Sequence, residues 1–193
     1  MINETAIVIA VHDNAWEIER NLSKYLEQVC DAKFKVIVVD DNSTDDTPDI
    51  LKRMQLDYPN LYTTFLPASS HRKRRRLALT LGAKAADCDW VALADIDYVP
   101  ENEEWLSRLL QVAEENGGVK LVVGTCKRRK ASLWKRYRKW CKTIKLKRKV
   151  KSREKFKLPI NNALVSKELI VRKGELYASC EYSVWANDAR LLK

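Results

Sequence analysis

The stretch 36-VIVVDDNSTDDTPDIL-51 runs from four β-forming apolar residues straight into acids, with an Asn-Ser-Thr turn between two acid pairs. A short apolar run without polar alternation reads as a strand buried on both faces. Ser43 or Asp45 then suits the start of a helix, because such side chains accept the unpaired N–H groups of a first turn. Capping accounts for Asp45 and Asp46. It leaves Asp40 and Asp41, at the strand end, as either plain turn residues or ligand-binding carboxylates, since Asx turns after strands are common.

The same alternation extends in both directions. Residues 5–11 form an apolar run, followed by Trp16, Ile18, Leu22, Tyr25, Leu26 and Val29 at helical spacing. Residues 61–66 precede a helical stretch over 74–86, 90-WVALA-94 precedes one over 101–115, and 119-VKLVVGT-125 is a fifth strand. Strands alternating with helices predict an α/β fold, a mostly parallel, Rossmann-like sheet flanked by helices, rather than a sandwich or a bundle. Further on, 161–166 reads as a short strand, and 168–173 and 179–192 read as helices. An ending inside a helix with no capping Gly suggests a truncated or natively short chain.

In open α/β sheets ligands bind beyond the carboxyl ends of the strands. His12-Asp13-Asn14, Asp40-Asp41-Asn42, Ser69–His71 and Asp95-Ile96-Asp97 all follow predicted strands. Two acid pairs on one rim repel unless a cation or a set of donors lies between them. The D-x-D spacing adds to this: in extended backbone, residues two apart project the same way, so one carboxylate meets a hard metal and its neighbour a sugar hydroxyl.

The order of 9-IAVHDN-14, 39-VDDNSTDDT-47 and 76-RLALTLGAKAADCDWVALADID-97 resembles the family 2 glycosyltransferases of the GT-A fold. Their landmarks are a P-x-Y-N-like turn, a V-D-D-x-S-x-D-x-T segment, an A-L-N-x-G-like helix and a D-x-D. Here Ala10, His12 and Thr80 stand where Pro, Tyr and Asn are usual. The resemblance implies a metal-dependent, inverting transfer of a sugar from a UDP- or GDP-sugar to the hydroxyl of a saccharide or lipid-linked acceptor, as in polysaccharide biosynthesis. It places Asp40 and Asp41 at the base and ribose of the donor, His12 beside the base, Asp95 near the ribose or sugar, and Asp97 on Mg²⁺ or Mn²⁺. It also places the catalytic base in an acidic segment beyond a short Asn-containing strand, which points to Glu181, with Asp188 as the second candidate. The basic run 71-HRKRRR-76 offers cations to the diphosphate, or simply starts a solvated helix.

Charge divides the chain unevenly. Residues 127–157 hold seventeen Lys or Arg and one acid, Glu154, so this segment carries +16 and the remainder −6. Within it Leu133, Trp134, Tyr137, Trp140, Cys141 and Ile144 fall on one helical face with cations opposite. That composition suits a helix lying on an anionic membrane surface; packing on the core and solvated cations is the plainer alternative. A nucleic-acid-binding module would use the same segment, but aromatics sharing one face favour packing or lipid over base stacking, and no nucleic-acid partner is expected. A third reading is an inactive or truncated transferase-like domain that binds nucleotide without turnover. Residues 1–126 are read as the nucleotide-sugar-binding half, and 127–193 as a basic amphipathic segment plus part of the acceptor half of the same domain. Five widely spaced cysteines, no secretory leader and no apolar run of about eighteen residues predict a cytoplasmic protein, peripheral at most on the inner face of the membrane.

Overall fold

This computed structural model describes residues 1–66, 74–127, 155–157, 161–173, 177–179 and 183–192. The strands are β1 (Glu4–Val11), β2 (Lys33–Asp40), β3 (Leu61–Phe65), β4 (Trp90–Ala94), β5 (Val99–Pro100), β6 (Leu121–Lys127), β7 (Lys155–Lys157), β8 (Asn162–Ser166), β9 (Tyr177–Ser179) and β10 (Ser183–Leu192). The helices are α1 (Ala15–Asn21), α2 (Ser23–Leu26), α3 (Thr47–Asp57), α4 (Arg74–Ala85), α5 (Trp105–Glu115) and α6 (Lys167–Lys173). The stretch 131–149, the rim group Ser69–His71 and Glu181 lie outside the described residues, as does the side chain of Asp188.

One sheet runs β3-β2-β1-β4-β8-β6-β10-β5, while β7 and β9 pair separately. Strands β3, β2, β1 and β4 are parallel, and β6 and β10 share their direction; β8 and β5 run against it. The sheet is therefore α/β and mostly parallel, as the strand–helix alternation predicts.

Strand β1 is apolar from Ala6 to Val11 because that stretch is covered on both faces. Ile7, Ile9 and Val11 enter a core with Ile18, Leu22 and Tyr25 of α1 and its continuation, Ile50 and Leu51 of α3, and Trp105, Leu106 and Leu109 of α5. Ala6, Val8 and Ala10 face the other way, onto Ala78, Leu79 and Ala83 of α4 and Ile170 of α6. Helix α4 comes close enough that a Cβ on Gly82 would strike the Val8 side chain and sit 3.0 Å from Val39 Cγ2. A larger residue there would push the helix off the sheet.

The fifth strand of the series, β6, is separated from β4 by antiparallel β8, from much later in the chain. One expectation about the elements is corrected. Of residues 179–192, read as a helix, the described ones are strand: Ser179 ends β9 and Ser183–Leu192 form β10. The cause is a bulge: Trp185 pairs with Val123 and Arg190 with Thr125, so Ala186–Ala189 stand opposite Gly124 alone. The bulge spaces the buried Ala186 and Ala189 three apart, which imitates a helical period in sequence.

Candidate functional site

Because β1 lies between β2 and β4, their carboxyl ends form one rim. Val11 pairs with Asp40 and Ile9 with Ala94, so Asp40 and Asp95 flank the end of β1, with Asp95 one residue short of the level of Asp40. Two strand spacings separate them, about 10 Å, a width suited to a nucleotide lying across β1. Asp40, Asp41 and Asp95 are all buried, at 1%, 8% and 5% exposure. Carboxylates so placed need donors.

The loops after β1 and β2 supply donors by locking together. The Ser43 N–H and hydroxyl both donate to Asp40 Oδ1, at 3.0 and 2.6 Å. Ser43 Oγ accepts the Asp13 N–H at 2.9 Å, and Asp13 Oδ1 accepts the Thr44 N–H at 2.7 Å. His12 Nδ1 lies 2.9 Å from the Asp41 carbonyl oxygen; a carbonyl only accepts, so Nδ1 carries the proton. Asp13 and Asn42 adopt left-handed backbone, φ 49° and 60°, which Asp and Asn tolerate better than other side chains. The Thr44 N–H, aided by the neighbouring His12, holds the Asp13 carboxyl below its ordinary value although burial works the other way.

Helix capping here is done by Asp45 rather than by Ser43 or Asp46. Asp45 Oδ2 accepts the Ala15 N–H at the start of α1 and Oδ1 the Thr47 N–H at the start of α3, each at 3.0 Å. Asp46 occupies the N-cap position of α3 without a side-chain cap bond.

The D-x-D segment is a turn, not extended backbone. Tyr98 N–H donates to the Asp95 carbonyl at 2.9 Å and Asp97 N–H to Asp95 Oδ1 at 3.2 Å, while Ile96 is buried in the core. The two carboxylates therefore do not share a direction through strand geometry; the turn turns Asp95 inward and leaves Asp97 part-exposed. The buried Tyr25 hydroxyl pins this turn, donating to the carbonyls of Asp95 and Tyr98 at 3.2 and 2.8 Å. Burial, and then the nearby Asp95 charge, push the Tyr25 phenol well above its ordinary value, so it stays protonated as a donor.

Asp95 Oδ2 lies 2.8 Å from an Arg75 guanidinium nitrogen. Helix α4 thus supplies a cation to Asp95, while Asp40 is met by the Ser43 donors. Arg75 belongs to the basic run flagged in sequence, but nothing local distinguishes it from its cationic neighbours. Also missed in sequence is Asn162 of β8, 1% exposed, which accepts from Trp105 Nε1 at 3.1 Å and donates to the carbonyls of Thr125 and Ala189 at 2.9 and 3.0 Å. It ties α5, β6 and β10 together behind the rim, and Gly124 leaves it the room, since a Cβ there would overlap its amide.

Among the described residues no three His, Cys, Asp or Glu side chains group as a metal cluster. A Mg²⁺-like ion needs no such cluster, because it takes one or two carboxylates and completes its shell with phosphate and water oxygens. Part-exposed Asp97, next to Asp95, fits that donor set. A cavity of about 680 Å³ lies elsewhere, along the outer side of α5 with Val29–Asp31 and Ala186, and includes none of the rim residues. Among the described residues no helix is long and apolar enough to cross a membrane.

Comparison with known proteins agrees with the geometry. The chain resembles the mannosyltransferase PcManGT from Pyrobaculum calidifontis, solved with GDP-Man and Mn²⁺, at 20% identity and a TM-score of 0.70 over 98% of this chain and 56% of that one. S. aureus TarS 1-349 in complex with UDP matches at 19% identity and 0.60, over 92% and 51%. TarS 1-349 with UDP-GlcNAc matches at 23% and 0.56, over 67% and 36%. The chain spans about half the length of the first two, and these likenesses establish the GT-A fold. A search of curated proteins finds no match. Residues 6–172 match the family described as "Glycosyl transferase family 2", and with the rim lying where that fold binds ligands, the chain belongs to glycosyl transferase family 2.

Proposed function

We propose that the chain binds a nucleoside diphosphate sugar across the end of β1 and transfers its sugar, with inversion, to an acceptor hydroxyl. The observation that carries this reading is the facing of Asp40-Asp41 and Asp95 on the ends of β2 and β4, the parallel strands either side of β1, with Arg75 of α4 reaching Asp95. Asp40 and Asp41 accept from the base and ribose, His12 sits against the base, and Asp95 meets the ribose or sugar. Arg75, already held at the rim, offers its charge to the diphosphate as the leaving group forms. Asp97 would hold Mg²⁺ or Mn²⁺, which supplies neutralisation of phosphate charge. Glu181 takes the acceptor proton as general base. GDP-Man with Mn²⁺ in PcManGT and UDP-GlcNAc in TarS support GDP- and UDP-sugars as the donors to test first.

The acceptor is a saccharide or lipid-linked sugar. The amphipathic, cationic composition of 131–149 supports a peripheral contact with an anionic membrane. Calorimetric titration with UDP, GDP and their sugars, with and without Mn²⁺, tests the donor site: tight binding of one base in the presence of Mn²⁺ is expected. Indifference to every nucleoside diphosphate would sink the reading. Sedimentation with anionic and neutral vesicles tests the membrane contact, with salt-sensitive binding to the anionic ones expected.

A further inference from the structure

We infer that Ser43 is a positioning residue for the donor, fixing the Asp40 carboxylate so that a single oxygen meets the nucleoside. The inference rests on the donor reading above. Three observations carry it. First, both Ser43 bonds, from its N–H at 3.0 Å and its hydroxyl at 2.6 Å, fall on Oδ1, and Oδ2 takes none from the described residues. Second, the Ser43 hydroxyl is itself oriented: its oxygen accepts the Asp13 N–H at 2.9 Å, so its proton is directed at Asp40. Third, that N–H is held in place by the Asp13 carboxylate on the Thr44 N–H at 2.7 Å, which closes the loop after β1 onto the loop after β2.

The physical consequence concerns the terminal torsion of Asp40. An Asp carboxylate rotates over a broad, two-fold well, and rotation exchanges its oxygens. Two donors on one oxygen suppress that rotation at a residue only 1% exposed, so Oδ2 is presented without an ordering cost when donor arrives. Ser43 does not cap α3, since Asp45 does that; its bonds go instead to Asp40 and, through the Asp13 N–H, to the loop after β1.

The test is titration of the intact chain with the preferred nucleoside diphosphate and Mn²⁺. Ser43→Ala and Ser43→Gly, both lacking the hydroxyl, are expected to weaken binding about tenfold, with the thermal midpoint close to wild type. Ser43→Thr, which keeps the hydroxyl, is expected to restore most of the affinity. In an Asp40→Asn background Ser43→Ala is expected to cost nothing further, as a residue acting through Asp40 must. Wild-type affinity in Ser43→Ala, or an equal loss in the Asp40→Asn background, overturns the inference while leaving the donor reading intact. Failure of the wild-type chain to bind any nucleoside diphosphate overturns both.

Discussion

Arg75 of α4 holds the buried carboxylate of Asp95 at 2.8 Å, joining a helix on one face of the sheet to the D-x-D turn at its rim. The Arg75 side chain as a whole is 42% exposed and that of Asp95 8%, but Arg75 Nε and Nη2 are themselves buried, so the ion pair is desolvated at its contact while the rest of the Arg side chain meets water. Such a pair serves the acid more than the fold, because losing the cation leaves a buried charge whose remaining donor among the described residues is the Asp97 N–H.

Arg75→Met should therefore destabilise the chain by about 1 to 2 kcal/mol, well short of a fully buried pair. It should also weaken nucleoside diphosphate binding. Urea unfolding and calorimetry read the two effects separately. Unchanged values in both would mean that the contact has no energetic weight.

Asp97→Asn should abolish Mn²⁺-dependent nucleotide binding with the unfolding midpoint preserved, because this side chain is part-exposed and outside the core. Equal affinity of mutant and wild type in Mn²⁺ would remove Asp97 from the metal site.

Asp45 gives the chain an acid-sensitive joint. Burial pulls its carboxyl upward, but the N–H groups of Ala15 and Thr47 together with the Thr47 hydroxyl outweigh it, so its value in the folded chain is below 3.8. A lowered carboxyl stabilises the fold above its unfolded value and loses that contribution as pH falls through the folded one. Asp45→Ala should cost about 1 kcal/mol at neutral pH, the scale of a lost cap. The gap between mutant and wild type should close in unfolding experiments carried below pH 3.8. A gap independent of pH would show that the charge plays no part.

Asn162→Ala should cost about 3 kcal/mol, because it strips a donor or acceptor from Trp105, Thr125 and Ala189 in a dry interior. Gly124→Ala should be harmful in the wild-type chain and much less so in the Asn162→Ala chain, where the overlapping amide is gone. Additive losses in the double mutant would separate the two positions.

Strands β1, β2 and β4 were legible because each carries an apolar run buried on both faces, while the edge strand β3, with Tyr62 and Phe65 exposed, followed from its place in the strand–helix alternation. Strand β4 falls at 90–94 as expected. Residues 179–192 misled because the β10 bulge breaks the two-residue period that marks a strand. At the rim, sequence located Asp40, Asp41, Asp95 and Asp97, since strand ends predict where side chains gather. It could not reveal that Asp45 serves two helices or that Ser43 joins Asp40 to Asp13, because these contacts are decided by how two loops, thirty residues apart, meet. Nor could it choose Arg75 among adjacent cations, a choice made by the phase of α4 on the sheet.

The placement of β8 bears on how the chain reaches this state. When residues 1–127 have been synthesised, β4 and β6 both exist in sequence, yet neither can pair with the other in the native order, since each bonds to β8. Sheet completion waits for β8 and β10, so β4 keeps one open edge and β6 both of its edges while the cation-rich segment emerges. Closure over so long a loop is slow relative to the local β1–β2 and β2–β3 pairings. Nascent chains are therefore most prone to self-association in that interval, and the like charges of 127–157 would then act as a solubilising spacer.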